Sequence, residues 1–211
     1  NSSNDRMAED VPLTIPEINP GHLDLIEVQR DERGWDGALV KNPNCSTITM
    51  VPTLAALDEF GLESVRVSTL QAVSGGGYSG VTSMEIIDNA IPHIGGEEEK
   101  MESESRKLLG EFDGTGVALH EMDVEAAEAM REFPGVDLPS SPEQLIHVFE
   151  EPERPQPRMD RERGNGMQIS AGGLKRTESG LKYNCLAHNT IRGAAGASLL
   201  NGELLVEEGW V

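Results

Sequence analysis

Apolar residues recur at helical spacing from Ser46 to Phe60, and Gly61 supplies a stop, which predicts a helix there despite Pro52. Val65–Val73 is β-branched and alternating, and so predicts a strand. It runs into Ser74-Gly75-Gly76-Gly77-Tyr78-Ser79-Gly80, a loop too glycine-rich for regular structure. Glu97–Phe112 reads as a charged amphipathic helix with Met101, Leu108 and Leu109 inward. Val117–Val124 then reads as a strand and Glu125–Phe133 as a helix, and six prolines between Pro134 and Pro157 predict a loop-rich crossing. Met167–Ala171 and Leu181–Ala187 are expected to pair around the turn Thr177-Glu178-Ser179-Gly180. Thr190–Val206 is a helix of small residues suited to close packing. Residues 1–40 are expected to be irregular, broken by Pro12, Pro16 and Pro20, with Leu23–Val28 and Ala38–Val40 as short strands or single helical turns. No repeat and no βαβ rhythm is present, so the class is α+β.

Composition narrows the partners. The 211 residues are enough for one substantial domain, and 37 Asp and Glu against 17 Lys and Arg give a formal net charge of -20. Such a surface repels phosphates, which argues against nucleic acid and anionic membranes as partners. An over-acidic soluble surface and an adaptation to high salt both remain open. Cys45 and Cys185 are widely spaced and no signal peptide is recognisable, which points to free thiols in a reducing cytoplasm. The polar start Asn1–Arg6 reads as the middle of a loop in a larger fold. No apolar run approaches the ~18 residues that span a bilayer. His22, His93, His120 and His147 show no ligand spacing, so no metal site is expected.

The most informative stretch is Asn42-Pro43-Asn44-Cys45-Ser46-Thr47. A cysteine entering a helix sits near the positive end of the macrodipole and near unpaired N–H groups, which favour the nucleophilic thiolate. The same N–H groups can receive an oxyanion when a carbonyl is attacked. A buried structural thiol is the alternative, since free cysteine is among the most buried residue types. Cys185, in an alternating run, is read as a packed strand residue.

Three runs in order carry a resemblance: Asn44-Cys45-Ser46, Ser68-Thr69-Leu70-Gln71-Ala72-Val73-Ser74-Gly75, and His188-Asn189-Thr190-Ile191-Arg192-Gly193-Ala194-Ala195-Gly196. With Glu97-Glu98-Glu99-Lys100 between them, the chain resembles the aspartate-semialdehyde dehydrogenase family, in its archaeal and fungal branch. The resemblance implies a mixed, mostly antiparallel sheet with helices on one face, like the C-terminal domain of glyceraldehyde-3-phosphate dehydrogenase. It further implies NADP-dependent reductive dephosphorylation of aspartyl phosphate to aspartate semialdehyde through a cysteine thioester, in the route to lysine, threonine and methionine. On this resemblance Cys45 is the nucleophile and Gln71 orients the acyl group. Asn44, Glu97 and Lys100 bind substrate, the glutamate taking its amine and the lysine its phosphate. Ser74, Gly75 and Asn189 face the nicotinamide half of NADP. A homodimer or homotetramer is implied as well. Without the motif, Gln71 reads as an ordinary strand amide and Glu97 with Lys100 as a solvated helix start.

Two departures from the family are visible. No glycine-rich dinucleotide turn precedes Cys45, so residues 1–40 read as a remnant of the dinucleotide-binding domain, and its acyl-phosphate arginine is expected to be lost. The catalytic and dimerisation domain then spans 41–189, and 190–211 is a helix returning to the cofactor side. Between His120 and Ala126 the family's Arg-Val-Pro-x-x-x-Gly-His segment, holder of the carboxylate-binding arginine and the acid/base histidine, has no match. A catalytically dead oligomerising module is therefore the competing reading. A phosphorylating aldehyde dehydrogenase of glyceraldehyde-3-phosphate type is a third, which the Gln71 and His188–Gly196 runs do not fit.

Overall fold

The computed structural model describes residues 4–76, 84–91, 94–109, 122–178 and 180–211, with residues 122–125 described for the backbone alone. The helices in chain order are α1 (Leu25–Arg33), α2 (Cys45–Ala55), α3 (Glu97–Leu109), α4 (Met122–Glu132), α5 (Pro157–Asp160) and α6 (Gly196–Glu207). Strands β1 (Ile146–Val148), β2 (Ile169–Thr177) and β3 (Gly180–Leu186) form one sheet in the order β1-β2-β3. β1 runs parallel to β2, and β3 returns antiparallel to it, so the sheet is mixed and the class is α+β, as the sequence implies. The paired strands around 177–180 form where they were expected, and Cys185 faces Ala171 as a packed strand residue.

Ile146, Val148, Ile169 and Ala171 project from one face of the sheet, because residues two apart on a strand share a face. Ala56 and Leu57, at the end of α2, and Ala126 and Met130 of α4 cover that face. Tyr183 of β3 binds α2 directly, its hydroxyl 2.8 Å from Thr53 Oγ1, and burial pushes the phenol up to about 12. A second core joins Leu13 and Ile15 to Ile48 and Val51 of α2, Leu108 of α3 and Ala197 of α6. Leu13, Ile15, Ile48 and Val51 are at most 1% exposed, and burying each such side chain contributes about 1.5–3 kcal/mol. This core clamps α2 between α3 and the C-terminal segment.

Several elements depart from expectation. Val65–Val73 is not a strand: residues 61–72 have no ladder partner among the described residues, and 73–76 form a 3-10 turn. Val65, Val67 and Leu70 lie exposed, so the alternation that suggests a strand has no second strand to complete it. Residues 1–40 are not wholly irregular, since Leu25–Arg33 is a helix closed by Gly34 at φ 65°. Met122–Val124, expected at the end of a strand, belong to α4, while 110–121, and with them most of Val117–Val124, lie outside the described residues. Gly77-Tyr78-Ser79-Gly80, His93 and His120 also lie outside them. The small-residue C-terminal helix begins as a wide turn, Ile191–Ala195, before α6. Pro52 is tolerated inside α2, whose last turn re-forms through the Ala56 N–H to the Pro52 carbonyl at 3.1 Å.

Two contacts tie the chain's ends together. Arg192 and Glu17, 175 positions apart and with fully buried side chains, form a two-pronged pair at 2.7 and 3.1 Å. Lys107 of α3 donates to the carbonyls of Arg6, Ala8 and Val11 at 2.8–2.9 Å, which fastens the N-terminal segment to that helix. Removing one partner of a buried pair leaves the other charge uncompensated. Glu17→Gln is therefore expected to lower unfolding free energy by about 3–5 kcal/mol, read as a fall in the urea midpoint. Gly172 of β2 has no room for a side chain, since a Cβ there would lie 2.5 Å from the Arg154 carbonyl oxygen. Gly172→Ala is expected to cost about 1–3 kcal/mol in the same measurement.

Candidate functional site

Asn44 caps α2. Its backbone, at φ -57° and ψ 151°, lies outside the helix, and its side-chain oxygen accepts from the N–H groups of Ser46 at 2.8 Å and Thr47 at 3.4 Å. The next residue, Cys45, is therefore the first of the helix, half-buried, with its thiol at the helix mouth. On one side the thiol meets Gln71, whose side-chain oxygen lies 3.9 Å from Sγ. On another side it meets the wide turn before α6. A Cβ on Gly193 would lie 2.8 Å from that of Cys45, so only glycine lets the turn come this close.

Gln71 joins the site although its segment is no strand. Its amide donates to Ser46 Oγ at 2.8 Å and to a carboxylate oxygen of Glu97. The other Glu97 oxygen accepts from the Asn44 side-chain amide at 3.1 Å. Glu97 is thus not on a solvated face. It is 7% exposed and connects the cap, the glutamine and α3. Lys100, one turn further along α3, is half-buried, and Gly96 at φ 70° starts the helix beside it. Ser74 and Asn189 meet at the outer edge, where the Asn189 amide donates to Ser74 Oγ at 2.8 Å. Gly75 lies between them and Gln71: a Cβ on it would be 3.4 Å from both the Asn189 nitrogen and the Gln71 oxygen. All eight residues singled out from the sequence, Asn44, Cys45, Gln71, Ser74, Gly75, Glu97, Lys100 and Asn189, thus lie in one connected neighbourhood or one turn from it.

The thiol's acidity runs opposite to the expectation from the helix dipole. Burial pushes Cys45 above the usual thiol range, and the Glu97 carboxylate pushes it further, outweighing the hydrogen bonds from Ser46 and its own backbone. At neutral pH the resting site therefore holds a thiol. Cys185 is pushed up to about 11 by burial alone. The imidazole of His188 is already engaged, accepting from the Ile191 N–H at 3.3 Å through Nδ1 and facing Glu162 at 3.5 Å through Nε2. No described imidazole hydrogen-bonds Cys45.

Sequence reasoning missed three participants. Glu104, 1% exposed, accepts from the Asn44 backbone N–H at 2.6 Å. Arg6 pairs with the same carboxylate at 2.9 Å, so the N-terminal segment does bring a cation toward the site. Arg192 anchors the turn that carries Gly193. Glu104 and Arg6 were present only as charged residues on otherwise mixed segments, without a distinguishing period, and Arg192 stood inside the His188–Gly196 run without a role of its own. Among the described residues no group of three His, Cys, Asp or Glu side chains is placed to hold a metal, and no helix is long and apolar enough to cross a membrane.

Known proteins share the sequence and the fold. Residues 54–131 match the family described as "Semialdehyde dehydrogenase, dimerisation domain". The aspartate-semialdehyde dehydrogenase of Archaeoglobus fulgidus is 50% identical, the alignment covering 99% of this chain and 69% of that protein. The enzyme of the same name from Methanothermobacter thermautotrophicus is 46% identical over 98% of this chain and 70% of its own. The first alignment runs over 237 positions against 211 residues here, so at least 26 positions of that relative have no counterpart in this chain. In structure, the aspartate semialdehyde dehydrogenase of Candida albicans, solved with NADP, superposes with a TM-score of 0.78 at 31% identity, covering 100% of this chain and 71% of that one. With half of its residues identical to one such enzyme over nearly its whole length and a fold that superposes on another, the chain belongs to the aspartate-semialdehyde dehydrogenases.

Proposed function

We propose that Cys45 is the nucleophile in the NADP-dependent conversion of aspartyl phosphate to aspartate semialdehyde. The observation that carries this reading is the placement of a half-buried thiol at a capped helix mouth, within 3.9 Å of the Gln71 side-chain oxygen. Cys45 Sγ, having given its proton to water, attacks the acyl carbon, and the carbon–oxygen bond to phosphate breaks, releasing phosphate and leaving a thioester. The oxyanion role expected of the helix start falls to the Cys45 N–H, since the N–H groups of Ser46 and Thr47 are already taken by the Asn44 side chain. The Gln71 amide, already held by Ser46 and Glu97, fixes the acyl group against rotation. Glu97 pairs the substrate ammonium and Lys100 its phosphate, and Asn44 holds Glu97 in place. NADP supplies hydride exchange at the acyl carbon when bound. Ser74, Gly75 and Asn189 fit the carboxamide end of that cofactor, since they offer an exposed hydroxyl–amide pair beside a glycine without a side chain. Residues 1–40 then belong to the cofactor half, 41–189 to the catalytic and dimerisation body, and 190–211 to the helix that returns across the two. The buried Glu17–Arg192 pair supports that division.

One observation favours a second reading, an oligomerising domain without turnover: a thiol raised by burial has no imidazole beside it among the described residues. In that reading the acid/base histidine lies in the stretch the relatives carry and this chain lacks, which we place near 120–126.

Two measurements decide between them. The first is phosphate- and NADP-dependent oxidation of aspartate semialdehyde, at low and high salt. Turnover that disappears in Cys45→Ala supports the thioester enzyme, whereas folded protein with no turnover supports the second reading. The second is the pH dependence of Cys45 alkylation by iodoacetamide. Because burial and Glu97 raise the thiol, the rate is expected to reach half its plateau at a higher pH than that of a free cysteine, and Glu97→Gln is expected to move that midpoint down.

A further inference from the structure

We propose that Glu104 is a positioning residue for the nucleophile: its carboxylate holds the main-chain N–H of Asn44 and thereby sets the direction in which the cap presents Cys45. This rests on the reading of Cys45 as the nucleophile. Glu104 lies seven residues after Glu97, two turns along the same face of α3. One helix therefore grips Asn44 twice, Glu97 taking the side-chain amide at 3.1 Å and Glu104 the backbone N–H at 2.6 Å. The remaining groups of Asn44 are committed to α2, the side-chain oxygen to Ser46 and Thr47 and the carbonyl to the Ile48 N–H at 2.9 Å. Every hydrogen-bonding group of the residue before the nucleophile is thus held, and the two that reach outside α2 end on α3.

Stability alone is a poor account of Glu104. A carboxylate 1% exposed gives up its hydration, and buried ion pairs often contribute little net stability against apolar replacements. The pair with Arg6 is also incompletely satisfied, because Arg6 Nε is buried without a partner among the described residues. What the pair does provide is direction. Arg6 takes one oxygen at 2.9 Å, which leaves the other facing the Asn44 N–H. A bond to a charged acceptor is short and narrow in angle, and a displacement of a reacting atom by a fraction of an ångström is felt in kcat before it is felt in KM.

The test is Glu104→Gln, alone and combined with Arg6→Leu, in the full chain. The amide keeps one acceptor oxygen but presents a second donor, so beside Arg6 it cannot serve both neighbours. Alone, the substitution is expected to slow Cys45 alkylation by iodoacetamide at its high-pH plateau, and to lower kcat about ten-fold with KM for aspartate semialdehyde within about two-fold. Alkylation is followed on the Cys45 peptide with Cys185 as the buried reference. Combined with Arg6→Leu, the amide oxygen is free to turn to Asn44, and the alkylation plateau is expected to recover to within about three-fold of wild type. A plateau unchanged in the folded single variant overturns the proposal. So does a loss that tracks the fall in Tm and is not recovered in the pair. If Cys45→Ala keeps its turnover, the thioester reading fails instead, and the alkylation plateau still reads the role of Glu104.

Discussion

The close approach of Gly193 to Cys45 is the constraint on which the site depends. A helix mouth offers N–H groups and a thiol, but it becomes a reaction site only when something walls it from bulk water and fixes its orientation. Here the wall is main chain, so near that a Cβ added to residue 193 would lie 2.8 Å from the cysteine's own. Backbone comes that near only if the turn carrying it is held from behind. Arg192 does this by reaching into the protein interior to the fully buried carboxylate of Glu17. Three segments distant in sequence, near residues 17, 45 and 193, are thus joined by one steric limit and one ion pair.

Charge follows the same logic. With 37 acidic side chains against 17 basic ones, a carboxylate is the commonest charged group available, and several are used inside. Glu17 and Asp160 are each paired with an arginine, Glu104 with an arginine and a main-chain N–H, and Glu97 with two side-chain amides. Each buried anion finds donors, as desolvated carboxylates must. Among the described residues Glu97 is the buried carboxylate met by neutral side-chain donors, and its charge pushes the thiol up.

Much of the site was legible because its residues sit in short runs with their own local logic. Cys45 reads as the entry to a helix, and the structure starts α2 at that residue, behind a cap at Asn44 that the sequence reading did not name. The hairpin of β2 and β3 was legible from alternation and a turn, both local. Val65–Val73 shows where local reasoning stops: alternation predicts a strand, yet a strand exists only with a partner, and sequence periodicity does not report one. The thiol's acidity failed for a related reason. The helix start is written in neighbouring residues, whereas Glu97, 52 positions later, and the burial around it are not. Glu104 and Arg6 were invisible for the same cause, since their partnership spans 98 positions.

The wide turn at 191–195 also bears on how the protein is made. During synthesis α2 can form its first turns early, and the core around Ile48 and Val51 can begin to collapse on Leu13 and Ile15. The wall of the site cannot form until Arg192 and Gly193 have left the ribosome, because the contact that seats them spans 175 positions. Closing so long a loop costs chain entropy that is recovered only at the last step. Between the emergence of α2 and that of Arg192 the chain therefore carries its cysteine at an open helix end. Cys45 and the turn that encloses it are thus made far apart, and the environment of the first waits for the second.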